Sequence, residues 1–85
     1  MYNFHIARHN KKMEKVKVKL DSLDDIAMLV ARADEVEGDV ILSRGRFSVD
    51  GRSLLGALSI GWSEPFTVEY APDEQFSQYL KPYIK

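Results

Sequence analysis

The sequence contains no cysteine. Disulfides, thiolate zinc sites and cysteine nucleophiles are therefore excluded together, and a reducing cytoplasm is the expected location. No apolar run approaches the roughly 20 residues that span a bilayer, so membrane insertion is not expected. The first residues lack the apolar stretch of a secretion signal. Net charge is almost absent: 12 Lys and Arg stand against 13 Asp and Glu, a formal −1. Without a basic excess there is no broad attraction for nucleic acid or for a lipid surface. No internal repeat and no low-complexity segment breaks the chain.

What is present is 85 residues, 45% hydrophobic and 29% charged. That composition suits one small globular domain rather than a disordered chain. With no covalent staple, stability must come from the hydrophobic core, and in a domain of this size the margin is slim.

Residues 1–12 read differently from the rest. Tyr2, Phe4 and Ile6 alternate, and a basic polar run of Arg8, His9, Asn10, Lys11 and Lys12 follows. Two readings fit this extension. It is a disordered tail, with Met13 as the true start, or an extra strand pairing with a sheet edge of its own or of a second copy in a homodimer. Residues 13–85 form the domain proper.

Within it, Val16, Val18 and Leu20 alternate with Lys15, Lys17 and Lys19, the period of a half-buried strand with a solvated lysine face. Ser22 then caps a helix with Asp24 and Asp25 in its first turn, where acids suit the helix dipole. Leu23, Ile26, Ala27, Val30 and Ala33 form its apolar stripe, running to about Asp34. Val40 and Leu42 begin a second strand, with Ile41 partly buried on its other face. Arg44-Gly45-Arg46 makes a tight hairpin, and Phe47 and Val49 alternate in a third strand. Residues 53–60 read as a short helix ended by Gly61. Phe66, Val68 and Tyr70 form a fourth strand. A last helix starts near Asp73, turns Phe76, Tyr79 and Leu80 inward, and ends at Pro82. The order β-α-β-β-α-β-α predicts an α+β two-layer sandwich with helices on one face of an antiparallel sheet.

Few residues announce chemistry by spacing alone. His5 and His9 lie four apart without a third ligand, so they read as part of the polar tail and no metal site is expected. Nothing calls for a cofactor. Asp73 and Glu74 are helix-start acids rather than a catalytic pair. Trp62 is expected to cover the sheet edge. Arg44, Arg46 and Arg52 would surround a phosphate if the hairpin lay near Ser53; the blander reading is a solvated hairpin tip.

The segment Val49-Asp50-Gly51-Arg52-Ser53-Leu54-Leu55-Gly56-Ala57-Leu58-Ser59-Ile60-Gly61 is more specific. It resembles the regulatory-serine segment of HPr, the histidine-containing phosphocarrier of the bacterial sugar phosphotransferase system. Ser53-x-x-Gly56-x-x-Ser59-x-Gly61 matches the Gram-positive form of that family's second helix, and the element order agrees over residues 16–80. The resemblance implies an HPr-like open-faced two-layer sandwich, with a four-stranded antiparallel sheet and three helices on one face. It implies that Ser53 falls where HPr kinase/phosphorylase phosphorylates the family. It also implies that Leu54, Leu55 and Leu58 form a patch that docks partners, such as a transcriptional regulator or a phosphotransferase-system protein.

One departure limits what carries over. The family works through a histidine in a Gly-Leu-His-Thr-Arg-Pro-type loop, and residues 21–25 here contain no histidine, arginine or proline. Ser22 falls nearest the histidine's place and Asp24 nearest the arginine's. Asp24 and Asp25 would repel a phosphoryl group where the family stabilises one. The expectation is a regulatory or binding protein of the phosphotransferase system, neither an enzyme nor a phosphohistidine carrier, with precedent in the catabolite-repression HPr-like proteins. Two alternatives stand beside it. One is a phosphotransferase component with Ser22 as an altered acceptor; the other is a non-phosphorylated module that self-associates through residues 1–12.

Overall fold

The computed structural model describes residues 12–85. Readings placed on residues 1–11, including the extra strand and the His5–His9 pair, lie outside the described residues. The order of elements is β1 (Glu14–Val18), α1 (Leu23–Ala33), β2 (Val40–Arg44), β3 (Phe47–Asp50), α2 (Leu54–Ser59), β4 (Phe66–Tyr70) and α3 (Glu74–Leu80), followed by a 3-10 turn, Lys81–Tyr83. This is the expected β-α-β-β-α-β-α arrangement.

The sheet order is β1-β4-β2-β3, and every neighbouring pair is antiparallel. β4 lies between β1 and β2, with Val68 opposite both Val16 and Leu42. Beyond β1 the chain end adds a short stretch of pairing. Val18 bridges Ile84, the Lys19 N–H donates to the Tyr83 carbonyl at 3.0 Å, and the Lys85 N–H donates to the Lys17 carbonyl at 2.9 Å.

Period-two alternation sends Val18, Leu42, Phe66, Val68 and Tyr70 to one face of the sheet, where they are buried. Ile26, Leu29 and Ala33 of α1, Ala57 of α2, and Phe76 and Leu80 of α3 meet them. No polar or charged side chain is buried among the described residues. Tyr70 and Phe76 meet edge to face with centroids 5.0 Å apart, an arrangement aromatic rings favour.

Three local expectations are corrected. The buried line of α1 is Ile26, Leu29 and Ala33, while Leu23 is 58% exposed and Ala27 is also exposed. They lie about a quarter-turn (Leu23) and a third of a turn (Ala27) off the line that rests on the sheet, so helical spacing admits them to a stripe wider than the contact. Phe47, expected to alternate inward, is 74% exposed. It keeps the inward parity of Val49 but sits beside the hairpin tip of an edge strand, beyond the cover of the helices. Pro82 does not end the helical path. α3 stops at Leu80 and the chain tightens into the 3-10 turn, which tolerates proline because its first amides need no partner.

The β3-to-α2 corner depends on close approach. The Gly51 N–H donates to the Val40 carbonyl at 2.7 Å. A Cβ on Gly51 would lie 2.6 Å from Val40 Cγ1 and 3.1 Å from the Val40 carbonyl oxygen. Gly51→Ala is therefore expected to cost about 1–3 kcal/mol, the usual scale of overpacking. The check is urea unfolding, with a lower midpoint and an unchanged slope.

Candidate functional site

Two helix N-termini carry the residues singled out by the sequence. At the first, Ser22 is extended (φ −152°, ψ 164°) and its Oγ accepts the Asp25 N–H at 3.2 Å. The Asp25 carboxylate reaches back, and its Oδ2 accepts the Asp21 N–H at 3.0 Å. The two side chains thus satisfy amides of the α1 entrance reciprocally, in the manner of a capping box. An anion arriving here would meet Asp24 and Asp25 before it met a free amide. Ser22 is half-buried and serves as a cap.

An aromatic row closes the α3 side of this entrance. Phe76 stacks on Tyr79 at 6.1 Å, Tyr79 meets Tyr83 at 5.7 Å, and the Arg32 guanidinium lies 5.8 Å above the Tyr79 ring. The Tyr79 hydroxyl is buried and has no hydrogen-bond partner among the described residues. Burial pushes its pKa up to about 12, with Tyr83 and the Asp25 carboxylate adding to the shift and Arg32 opposing it. Burial and then Asp25 also raise Tyr83.

At the second terminus, Ser53 is extended (φ −103°, ψ 115°) and its Oγ accepts the Gly56 N–H at 3.1 Å. Its own N–H donates to the Asp50 carbonyl at 3.1 Å, and the Asp50 side chain accepts the Arg52 N–H at 2.9 Å. Ser53 is half-buried. Ala57 is the buried contact of α2, and Gly56 is pressed close to Val49 of β3, where a Cβ would sit 3.2 Å from Val49 Cβ. That fixes the rotation of the helix. Leu54 and Leu58 lie on the flank away from β3, and Leu55, 82% exposed, points outward.

α1 is the neighbour on that side. Its other flank, through Arg32 and Asp25, faces Tyr79 of α3. Leu23, Ala27 and Ala31, four residues apart and all exposed, therefore run along the flank nearer α2. The result is one apolar surface built from Leu23, Ala27 and Ala31 of α1 with Leu54, Leu55 and Leu58 of α2. The α1 portion is not legible in the sequence, where the helical period places Leu23 and Ala27 in the core. The signal lay in the apolar arc of α1, which is wider than a six-residue neighbour can cover.

The arginines do not converge on Ser53. Arg44 Nε donates to the Ile60 carbonyl at 2.8 Å, and its guanidinium lies against Gly61, whose φ of +76° ends α2. Arg52 Nη2 donates to the carbonyls of Val36 (2.6 Å) and Gly38, tying the start of α2 to the loop after α1. Arg46 stands exposed at the hairpin tip. Trp62 is half-buried against the core. Among the described residues no three His, Asp or Glu side chains gather as metal ligands, and no helix is long and apolar enough to cross a membrane.

Comparison with solved structures agrees with this architecture. The chain is similar to the phosphocarrier protein HPr from Bacillus anthracis str. Ames, with a TM-score of 0.64 and 19% identity, over 89% of this chain and 99% of that one. It is also similar to HPr-C-His from Thermoanaerobacter tengcongensis, with a TM-score of 0.62 and 21% identity, over 86% and 90% of the two chains. No protein-family model and no curated protein matches the sequence. The fold is HPr-like.

The Tyr79 hydroxyl yields a prediction about alkaline pH. Its proton is held more tightly in the folded state, so its contribution is intact below pH 10.0 and declines as pH rises from there to about 12. Tyr79→Phe removes an unpartnered buried hydroxyl. It is expected to leave neutral-pH stability equal or slightly higher and to flatten the alkaline decline. Urea midpoints measured from pH 8 to 12 check both effects; a lower midpoint for the variant at pH 8 would show that the hydroxyl is bonded.

Proposed function

We propose that the protein is an HPr-like regulator of the bacterial sugar phosphotransferase system, acting in the cytoplasm by binding partners and switched by phosphorylation of Ser53. It does not carry phosphoryl groups on histidine. The observation that supports this reading is a contrast between the two helix starts. At α1, residues 21–25 hold no imidazole, the Asp21 and Asp25 N–H groups are engaged by Asp25 and Ser22, and Asp24 adds a second carboxylate. At α2, the Ser53 hydroxyl accepts one N–H, and among the described residues its own proton has no acceptor. It also borders the exposed leucines.

The chemistry is an ordinary kinase transfer. Ser53 Oγ attacks the γ-phosphorus of ATP held by HPr kinase/phosphorylase. The bond to the bridging oxygen breaks, ADP leaves, and the hydroxyl proton passes to a base of the kinase. The product carries between about −1.5 and −2 charges at neutral pH. At a helix start that charge meets the positive end of the dipole, so the modification is compatible with the folded state. Leu54, Leu55 and Leu58 then form the apolar half of a surface whose polar half appears only with the phosphate. A transcriptional regulator or another phosphotransferase-system protein reads the two together.

Incubation with HPr kinase/phosphorylase and ATP, followed by intact-mass measurement, tests this. One phosphoryl group is expected on the wild type and none on Ser53→Ala. An unmodified wild-type protein beside a fully modified HPr control would leave Ser53 as a helix cap and remove the proposal.

A further inference from the structure

Six large apolar side chains remain exposed on the helical side of the molecule: Leu23, Met28, Phe47, Leu54, Leu55 and Leu58. Clustered exposure on this scale marks an interface more often than a solvated surface. The positions of the helices order the face from side to side. α2 lies over the β3 edge, through Gly56 on Val49 and Arg44 on Ile60. α3 lies on the far side of α1, through Arg32 on Tyr79. Across the face the sequence is therefore the β2–β3 hairpin, α2, α1, α3.

Charge is divided along the same line. The hairpin border carries Arg44 and Arg46 on either side of the tip, with Phe47 next to them on the helical face of β3. The α1 border carries Asp24 in the first turn, and Asp34 at the C-cap closes the far end of the line that Leu23 and Ala27 form; both are exposed. Between the two borders lie the leucines. Among the described residues neither Asp24, Asp34 nor Arg46 takes part in an ion pair; the pairs formed are Lys19–Asp21 and Arg32–Glu35. One face thus presents a basic border, an apolar centre and an acidic border; Arg44 is held by the Ile60 carbonyl, while Arg46 and Asp24 form no ion pair among the described residues.

Such a face is complementary to itself. A two-fold axis lying in the face and running along the helices exchanges its left and right borders. It would set the arginine border of one copy on the aspartate border of the other and stack the leucines between them. Interfaces of this isologous kind are the commonest in soluble oligomers. We propose that the protein forms a homodimer through this face, with Leu55 and Phe47 as apolar anchors and Arg46 opposite the Asp24 of the second copy. The inference does not use phosphorylation of Ser53. It goes beyond the function proposed above, because the dimer would cover the leucines assigned to the partner and so compete with it.

The test is sedimentation of the full-length, unphosphorylated chain from about 10 μM to about 1 mM, the range in which a small interface becomes populated. The expected result is a reversible rise from monomer to dimer mass. Leu55→Glu should hold the protein monomeric throughout. Because Leu55 is 82% exposed, the variant keeps its fold, which circular dichroism verifies. Asp24→Lys and Arg46→Glu should each weaken association by at least about three-fold, and combining them should restore most of it, the signature of a direct pair. Three results would overturn the proposal: a monomer at every concentration, which frees the face for a different protein; a dimer indifferent to Leu55→Glu, which places self-association elsewhere; or a Leu55-dependent dimer that the paired charge exchange fails to rescue, which removes the two-fold arrangement.

Discussion

One face of a four-stranded sheet has to be buried by helices too short to stand alone. α2 has six residues and α3 has seven, below the length at which an isolated helix holds its shape in water. Each is therefore fixed from outside. Ser53 and Asp73 cap the two starts, Arg44 holds the end of α2 by the Ile60 carbonyl, and Arg52 ties its beginning to the loop after α1. The polar groups of the helical layer are spent mainly on holding the architecture. That is why the sites suggested by residue type alone, such as the arginine cluster, dissolve once their partners are known.

The same economy separates the two helix starts. Both begin with a serine whose hydroxyl accepts an amide three residues on, and the difference lies in what surrounds the cap. At α1 the returning Asp25 carboxylate, the neighbouring Asp24 and the Tyr79–Tyr83 pair make a closed, acidic entrance. At α2 no acid lies in the first turn, and the exposed side chains that follow are leucines. An anion is opposed at the first, whereas the first turn of the second carries no acid. The contrast arises from two aspartates and a handful of apolar side chains.

Much of this architecture was legible in the residues. Period-two runs marked the four strands, Ser22, Ser53 and Asp73 marked the helix starts, and Gly45 and Gly61 marked turns that need positive φ. The parts that were not legible are those decided by neighbours distant in sequence. Leu23 and Ala27 satisfy the helical period, and only the narrowness of α2 leaves them uncovered. Phe47 alternates correctly, and only its place beside a hairpin tip on the sheet edge exposes it. Arg52 looked like a candidate anion ligand until the loop at Val36 and Gly38, sixteen and fourteen residues earlier, proved to be its partner. Of the candidate surface, the α2 half could be read from sequence; the α1 half required knowing which flank of α1 faces Tyr79.

The position of β4 between β1 and β2 has a consequence in time. Val16 finds its neighbour Val68 only after 52 further residues have been made. At synthesis rates of about 5–20 residues per second, β1 waits for several seconds as an unpaired, alternating apolar strand. The lysines at 15, 17 and 19 occupy its other face throughout that interval. In the finished protein Lys15 and Lys17 lie exposed on the outside of the sheet and Lys19 pairs with Asp21, yet on a nascent chain they are the charges that keep such a strand from joining the wrong neighbour.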